Sequence, residues 1–177
     1  MDLFLAPHND DETLFGAYSC LRYHPLVIVC LRSFIEAGWP GGPGYEMRER
    51  ETAMATEILG CDYVQWDIPD SAPDWDEARR RLYLLKGIER VWAPLPEDDG
   101  HLHHNALASI ALQVFPQAKL YATYTYSGGK STVGELVQPE PGWEELKRRA
   151  MSCYVSQAEH PATHLPFDTW AIDEYLT

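Results

Sequence analysis

Pro25-Leu26-Val27-Ile28-Val29-Cys30-Leu31 is apolar, rich in β-branched residues and without polar/apolar alternation. A strand of that kind is buried on both faces, as the central strands of a parallel sheet are. Asp2-Leu3-Phe4-Leu5-Ala6 reads as a shorter strand of the same type. Between the two, residues 11–21 place Leu14, Ala17, Tyr18 and Leu21 on one face of a helix. Further on, residues 46–59 read as a helix, with Gly60 where a left-handed residue ends one. The remaining expectations are strands at 63–66, 90–95 and 120–126 and helices at 74–85, 103–115 and 143–157. The Pro-rich tail carries few signals and reads as partly extended. Strand and helix alternate throughout, which predicts a largely parallel sheet with helices on both faces. The expected architecture is a single α/β domain over 1–177. It is a doubly wound, Rossmann-like three-layer sandwich with a mostly parallel sheet of five strands or slightly more.

Composition narrows the classes. Of 177 residues, 45% are apolar and 23% charged, the balance of an ordinary globular protein. With 27 Asp and Glu against 14 Lys and Arg, the net charge is −13, which argues against nucleic acid as a main partner. Arg79-Arg80-Arg81 and Lys147-Arg148-Arg149 are the local exceptions, and each reads as a solvated helix face. The longest apolar stretch, 26–31, is far short of the ~18 residues of a membrane span. The opening Met1-Asp2-Leu3 has no basic n-region, and Cys20, Cys30, Cys61 and Cys153 form no CxxC pair. Free thiols in apolar surroundings suit a reducing compartment, so a cytoplasmic location is expected.

Two polar clusters follow strands. Pro7-His8-Asn9-Asp10-Asp11-Glu12 stands at the first strand–helix junction. Helix capping explains one or two of these acidic groups, but not His8 as well. Glu97-Asp98-Asp99-Gly100-His101-Leu102-His103-His104 follows the fourth strand. Doubly wound sheets bind ligands beyond the C-terminal strand ends, so both clusters can reach one crevice. A His and a carboxylate from one, with a His from the other, make the open three-ligand zinc site of hydrolases, its fourth position left to water. The metal lowers the pKa of that water, and spare carboxylate and imidazole groups can move protons.

Ala6-Pro7-His8-Asn9-Asp10-Asp11-Glu12 resembles the (A/S)HPDDE signature of the PIG-L/LmbE-like zinc-dependent N-deacetylases. Gly100-His101-Leu102-His103-His104 resembles that family's HPDH motif. Two weaker echoes follow the family's order. Met47-Arg48-Glu49-Arg50-Glu51-Thr52-Ala53, leading to Ile58-Leu59-Gly60, resembles its RxxE helix ending in LG. The stretch from Lys147 to Ser156-Gln157 resembles its late helix ending in SQ.

The resemblance implies a hydrolase that removes an N-acetyl group from an N-acetylglucosamine-type amino sugar or its conjugate. It implies one Zn2+ per chain on His8, Asp11 and His104, although such ligands also admit iron, cobalt or manganese. Asp10 would be the general base. His101 would stabilise the tetrahedral intermediate and help protonate the leaving amine. Glu12 would hold supporting hydrogen bonds. Arg48 and Glu51, one helical turn apart, are either an intrahelix ion pair or contacts to substrate and metal surroundings. Trp39, in a Gly/Pro-rich loop, is a lid candidate, and Tyr124, Tyr126 and Trp143 are further aromatic surfaces for a sugar ring.

Two departures stand out. Asn9 replaces the motif's usual Pro, and His103 replaces the Asp that would orient a neighbouring histidine, a task left to Asp98 or Asp99. The chain is short for the family, so pocket walls are either reduced or supplied by a partner chain in a homo-oligomer. The competing expectations are an amidase on a larger sugar or thiol conjugate, a non-catalytic binding module, and a phosphoacceptor receiver domain using Asp10, Asp11, Asp67 and Lys130. Ser127-Gly128-Gly129-Lys130 lacks a full phosphate-loop frame and reads as a turn.

Overall fold

The computed structural model describes residues 1–33, 44–127, 129–158 and 172–177. Trp39, the lid candidate, lies outside them. Strand β1 (Asp2–Ala6) leads into helix α1 (Asp11–Tyr23), β2 (Leu26–Arg32), α2 (Tyr45–Leu59) and β3 (Tyr63–Pro69). The chain continues through α3 (Trp75–Leu84), β4 (Arg90–Pro94), α4 (Leu102–Val114) and β5 (Lys119–Tyr121). These strands form a parallel sheet in the order β3-β2-β1-β4-β5, with Leu3 opposite Leu26 on one side and Val91 on the other. A mostly parallel, doubly wound α/β fold is therefore present.

Both faces of the central strands are buried, as their unbroken apolar runs require. Phe4 and Ala6 of β1, Val27 and Val29 of β2, and Trp92 of β4 pack with Leu14, Phe15, Ala17, Ala55 and Leu59 from α1 and α2. On the other face, Leu3, Leu5, Ile28, Cys30 and Ala93 meet Ala78 and Leu82 of α3 and Leu107 and Ile110 of α4. Helix α1 crosses β1 so closely that a Cβ on Gly16 would lie 2.1 Å from the Phe4 ring. Gly60, at φ 71°, ends α2 as its position suggested, and the Asp74 side chain caps α3 by accepting the Glu77 N–H at 2.9 Å.

The later chain departs from expectation. The run 120–126 is not one strand. β5 stops at Tyr121, and β6 (Tyr124–Thr125) pairs instead with β7 (Gly129–Lys130) in a hairpin. Tyr and Thr favour strands, but propensity does not say which partner a strand takes. The 143–157 helix is also divided, into α5 (Trp143–Met151) and α6 (Val155–Ala158). At the break, Ser152 Oγ donates to the Arg149 carbonyl at 2.7 Å, the local bond that competes with helix continuation. The sheet grows to seven strands because β9 (Tyr175–Leu176) adds antiparallel to β5 and β8 (Glu135–Leu136) to β9.

Lys147 is a correction. It does not belong to a solvated face: it is 1% exposed and donates to Glu174 Oε1 at 2.6 Å and to the Leu14 carbonyl at 3.0 Å. Glu174 also accepts the Tyr18 N–H at 3.1 Å, so this buried pair ties the segment 172–177 to α1 and α5. Arg79, Arg80 and Arg81 do lie in a surface ion-pair network with Asp76, Glu77 and Asp67. Among the described residues no helix is long and apolar enough to cross a membrane.

Candidate metal centre

The chain runs from β1 to β2 and β3 on one side of the sheet, then returns to β4 and β5 on the other. The strand order reverses between β1 and β4, which is where sheets of this kind form a ligand crevice beyond the C-terminal strand ends. His8 to Glu12 follow β1 at the start of α1, and His101 to His104 open α4 just after β4. The two clusters, distant in sequence, do meet there.

Asp11 lies at the centre of one group. Its Oδ2 accepts the His8 backbone N–H at 2.7 Å and sits 3.4 Å from His8 Nδ1. Its Oδ1 is 3.3 Å from His104 Nε2. That nitrogen is buried and makes no hydrogen bond, whereas His104 Nδ1 is paired with Thr123 Oγ1 at 3.1 Å. Two ligands on one tetrahedral zinc ion are about 3.3 Å apart, so these spacings suit a shared cation better than direct hydrogen bonds. Ligand atoms of His8, Asp11 and His104 all lie within 4.8 Å of one another. The residues therefore fit a divalent metal.

Charge follows from the surroundings. Burial alone would raise the Asp11 pKa, but the imidazoles of His104 and His8 hold it well below the carboxylate range. Burial raises Asp10 well above its ordinary value, helped by Asp11, Glu12 and Glu51 and opposed by Arg48. Arg48 reaches Asp10 Oδ2 at 3.4 Å and anchors on the Asn9 carbonyl at 2.8 Å and Ser33 Oγ at 2.7 Å. Asp10 is also a non-glycine residue at φ 124°, ψ −25°. A backbone held there stores on the order of 1–3 kcal/mol, which the surrounding hydrogen bonds must hold in place. Its carbonyl receives the N–H groups of Thr13 and Leu14 at 3.0 and 2.8 Å, starting α1.

His101 caps α4. Its Nδ1 accepts the His103 N–H at 3.2 Å, so in the neutral ring Nε2 carries the proton. Burial, then the neighbouring rings of His8, His104 and His103, lowers its pKa to about 3, and His103 is lowered to about 4 mainly by burial. His103 Nδ1 meets His8 Nε2 at 2.8 Å. Asp99 accepts the Ser127 N–H at 2.7 Å, and the carboxylates that act electrostatically on His103 are Asp70, just after β3, and Asp11.

The remaining site residues take separate positions. Glu12, fully buried, accepts from Thr13 at 2.6 Å and from the Tyr154 hydroxyl. Glu51 forms no ion pair with Arg48 but accepts from Ser156 N and Oγ at 2.8 and 2.6 Å, so the RxxE and SQ stretches touch. Asn9 replaces proline stiffness with two 2.8 Å bonds, to Thr52 and Gln65. Trp143 stacks on Tyr18, but Tyr124 and exposed Tyr126 stand 6.1 and 5.8 Å from the His101 ring. Thr123, Asp70 and Tyr154 went unnoticed in the sequence. Thr123 was hidden inside an apparent strand, and nothing local marks the other two. A cleft of about 690 Å³ between α1 and β8–β9 shares no residue with this site.

Comparison with known proteins agrees with the geometry. The pattern of the family described as PIG-L: GlcNAc-PI de-N-acetylase matches residues 3–115, more than half of the chain. Three solved structures share the fold. The A40926 pseudoaglycone deacetylase Dbv21 is 15% identical with a TM-score of 0.73, over 97% of this chain and 87% of its own. The conserved protein TT1542 from Thermus thermophilus is 24% identical with a TM-score of 0.63, over 88% and 79%. GalB, the 4-carboxy-2-hydroxymuconate hydratase from Pseudomonas putida, is 17% identical with a TM-score of 0.64, over 88% and 79%. No curated protein matches. The chain belongs to the PIG-L family of de-N-acetylases. Membership places it with enzymes of the GlcNAc de-N-acetylase type and sets aside the receiver-domain expectation.

Proposed function

We propose that this chain hydrolyses the acetamide of an N-acetylated amino sugar or its conjugate, with His8, Asp11 and His104 holding a zinc ion. The observation that carries this is the buried, unpaired Nε2 of His104 facing Asp11 across a ligand-sized gap. A bound divalent ion supplies Lewis acidity at the amide carbonyl and makes water a better nucleophile. Asp10, with its raised pKa, takes the proton of the attacking water and returns it to the departing nitrogen as the C–N bond breaks. Arg48 opposes that rise and so favours the charged carboxylate, and with the strained backbone it fixes the carboxylate's direction. His101 acts as a neutral N–H donor to the oxyanion, since Nδ1 is occupied by the His103 N–H. The products are acetate and the free amine. Tyr124 and Tyr126 beside His101 offer aromatic faces for a sugar ring.

The test is amine release from N-acetylglucosamine and its simple conjugates, with metal content measured on the same sample. Release that stops with a chelator and returns with zinc supports the proposal. A metal-loaded protein that releases no amine from any of these substrates overturns the amino-sugar assignment.

A further inference from the structure

His8 presents its two nitrogens to different neighbours. Nδ1 faces Asp11 at 3.4 Å, while Nε2 meets His103 Nδ1 at 2.8 Å. The ring centroids of His8, His101 and His103 form a near-equilateral triangle with sides of 5.0, 5.1 and 4.9 Å. Each ring offers a nitrogen within 4.8 Å of the other two, and all three are half-buried. On a tetrahedral ion with metal–nitrogen bonds of about 2.0–2.1 Å, imidazole centroids are about 5 Å apart and ligand nitrogens about 3.3 Å. The triangle already has the first spacing. The His8–His103 nitrogens, now 2.8 Å apart, must open by about half an ångström.

We propose that His8 Nε2, His101 and His103 form a second cation site, distinct from the Asp11–His104 side and sharing only His8 with it. Three neutral nitrogen donors select borderline ions such as zinc, cobalt, nickel or copper over magnesium and calcium. His103, the residue that departs from the family motif, supplies the third imidazole. With the first site also loaded through Nδ1, the second ion displaces the Nε2 proton of His8 to solvent, leaving His8 as a bridging imidazolate. Binding therefore releases a proton and weakens as pH falls. Binding at His101 exchanges its 3.2 Å capping bond for a metal bond. Where the hydrolysis proposed above operates, giving up the cap turns the ring that aims Nε2–H at the carbonyl, so excess metal slows turnover.

The experiment titrates chelator-stripped protein with Co(II), following ligand-field absorption and bound metal after dialysis. Wild type is expected to take up about two ions per chain, and His103→Leu and His104→Ala about one each. The double variant is expected to bind none. Circular dichroism checks that each variant is folded, and His103→Gln stands in for His103→Leu if the latter is not. Saturation of wild type at about one ion, lost in His104→Ala but unchanged in His103→Leu, overturns the second site and leaves the deacetylase assignment standing. Two bound ions without amine release do the reverse.

Discussion

Lys147→Met tests how the tail is held against the sheet. Lys147 and Glu174 are each 1% exposed, and the ammonium lies 2.6 Å from the carboxylate. Removing the lysine leaves a buried carboxylate with only the Tyr18 N–H at 3.1 Å of its two strong partners, and it leaves the Leu14 carbonyl without its Lys147 contact. Breaking one half of such a pair costs about 3–5 kcal/mol. At this chain length that is a fall in melting temperature of about 6–20 °C. Adding Glu174→Gln removes the stranded charge while keeping an acceptor for Tyr18, so the double variant should recover part of the loss. The sign with pH is also fixed. Burial raises the Glu174 pKa, and Lys147 opposes that rise. Without Lys147 the folded-state pKa climbs further above its unfolded value, so folding takes up a proton at mildly acidic pH. The variant's deficit should therefore narrow as pH falls through that raised pKa. Thermal melts of the wild type, the single variant and the double variant between neutral and mildly acidic pH are the assay. A single variant within about 1 kcal/mol of wild type, or a double variant no better than the single, would refute the reasoning.

Three further outcomes are expected. Asp10→Asn should keep its metal while losing turnover at least ~100-fold, the scale of a general base, and full activity would remove Asp10 from that role. Arg48→Met takes away the charge that opposes the raised Asp10 pKa. A base must be deprotonated to act, so the acid limb of the rate–pH profile should move to higher pH in that variant. Gly16→Ala places a methyl 2.1 Å from the Phe4 ring, and overpacking of this kind should destabilise the chain by about 1–3 kcal/mol in a denaturant titration.

The sequence showed the central sheet and the pairing of the two clusters most clearly. Leu26 to Leu31 had no polar side to present, so the strand had to be buried on both faces, and strand-end logic brought His8 toward His104. The rest depended on partners that local pattern does not encode. Tyr124 and Thr125 looked like a continuation of β5 because their side chains favour strands, yet the hairpin with Gly129 and Lys130 takes them out of the sheet and leaves Thr123 facing His104. Lys147 sat among arginines on what read as a polar face, and only a glutamate 27 positions later explains its burial. Glu51 and Arg48 shared a helical face, but each found its partner elsewhere, in Ser156 and Asp10. The roles proposed for His101 and Asp10 rest on hydrogen-bond partners that spacing in the sequence does not give.

The meeting of His8 with His103 spans 95 positions and requires β1 and β4 to be neighbours, with β2 and β3 already displaced to one side. Closing so long a loop comes late, since its entropy must be met before the contact rewards it. The crevice therefore does not exist in a chain that has folded only its first strands. A cation held there acts on the finished molecule: it slows unfolding and gives early folding no help. Metal retention thus reports that the two halves of the sheet have been assembled in the right order.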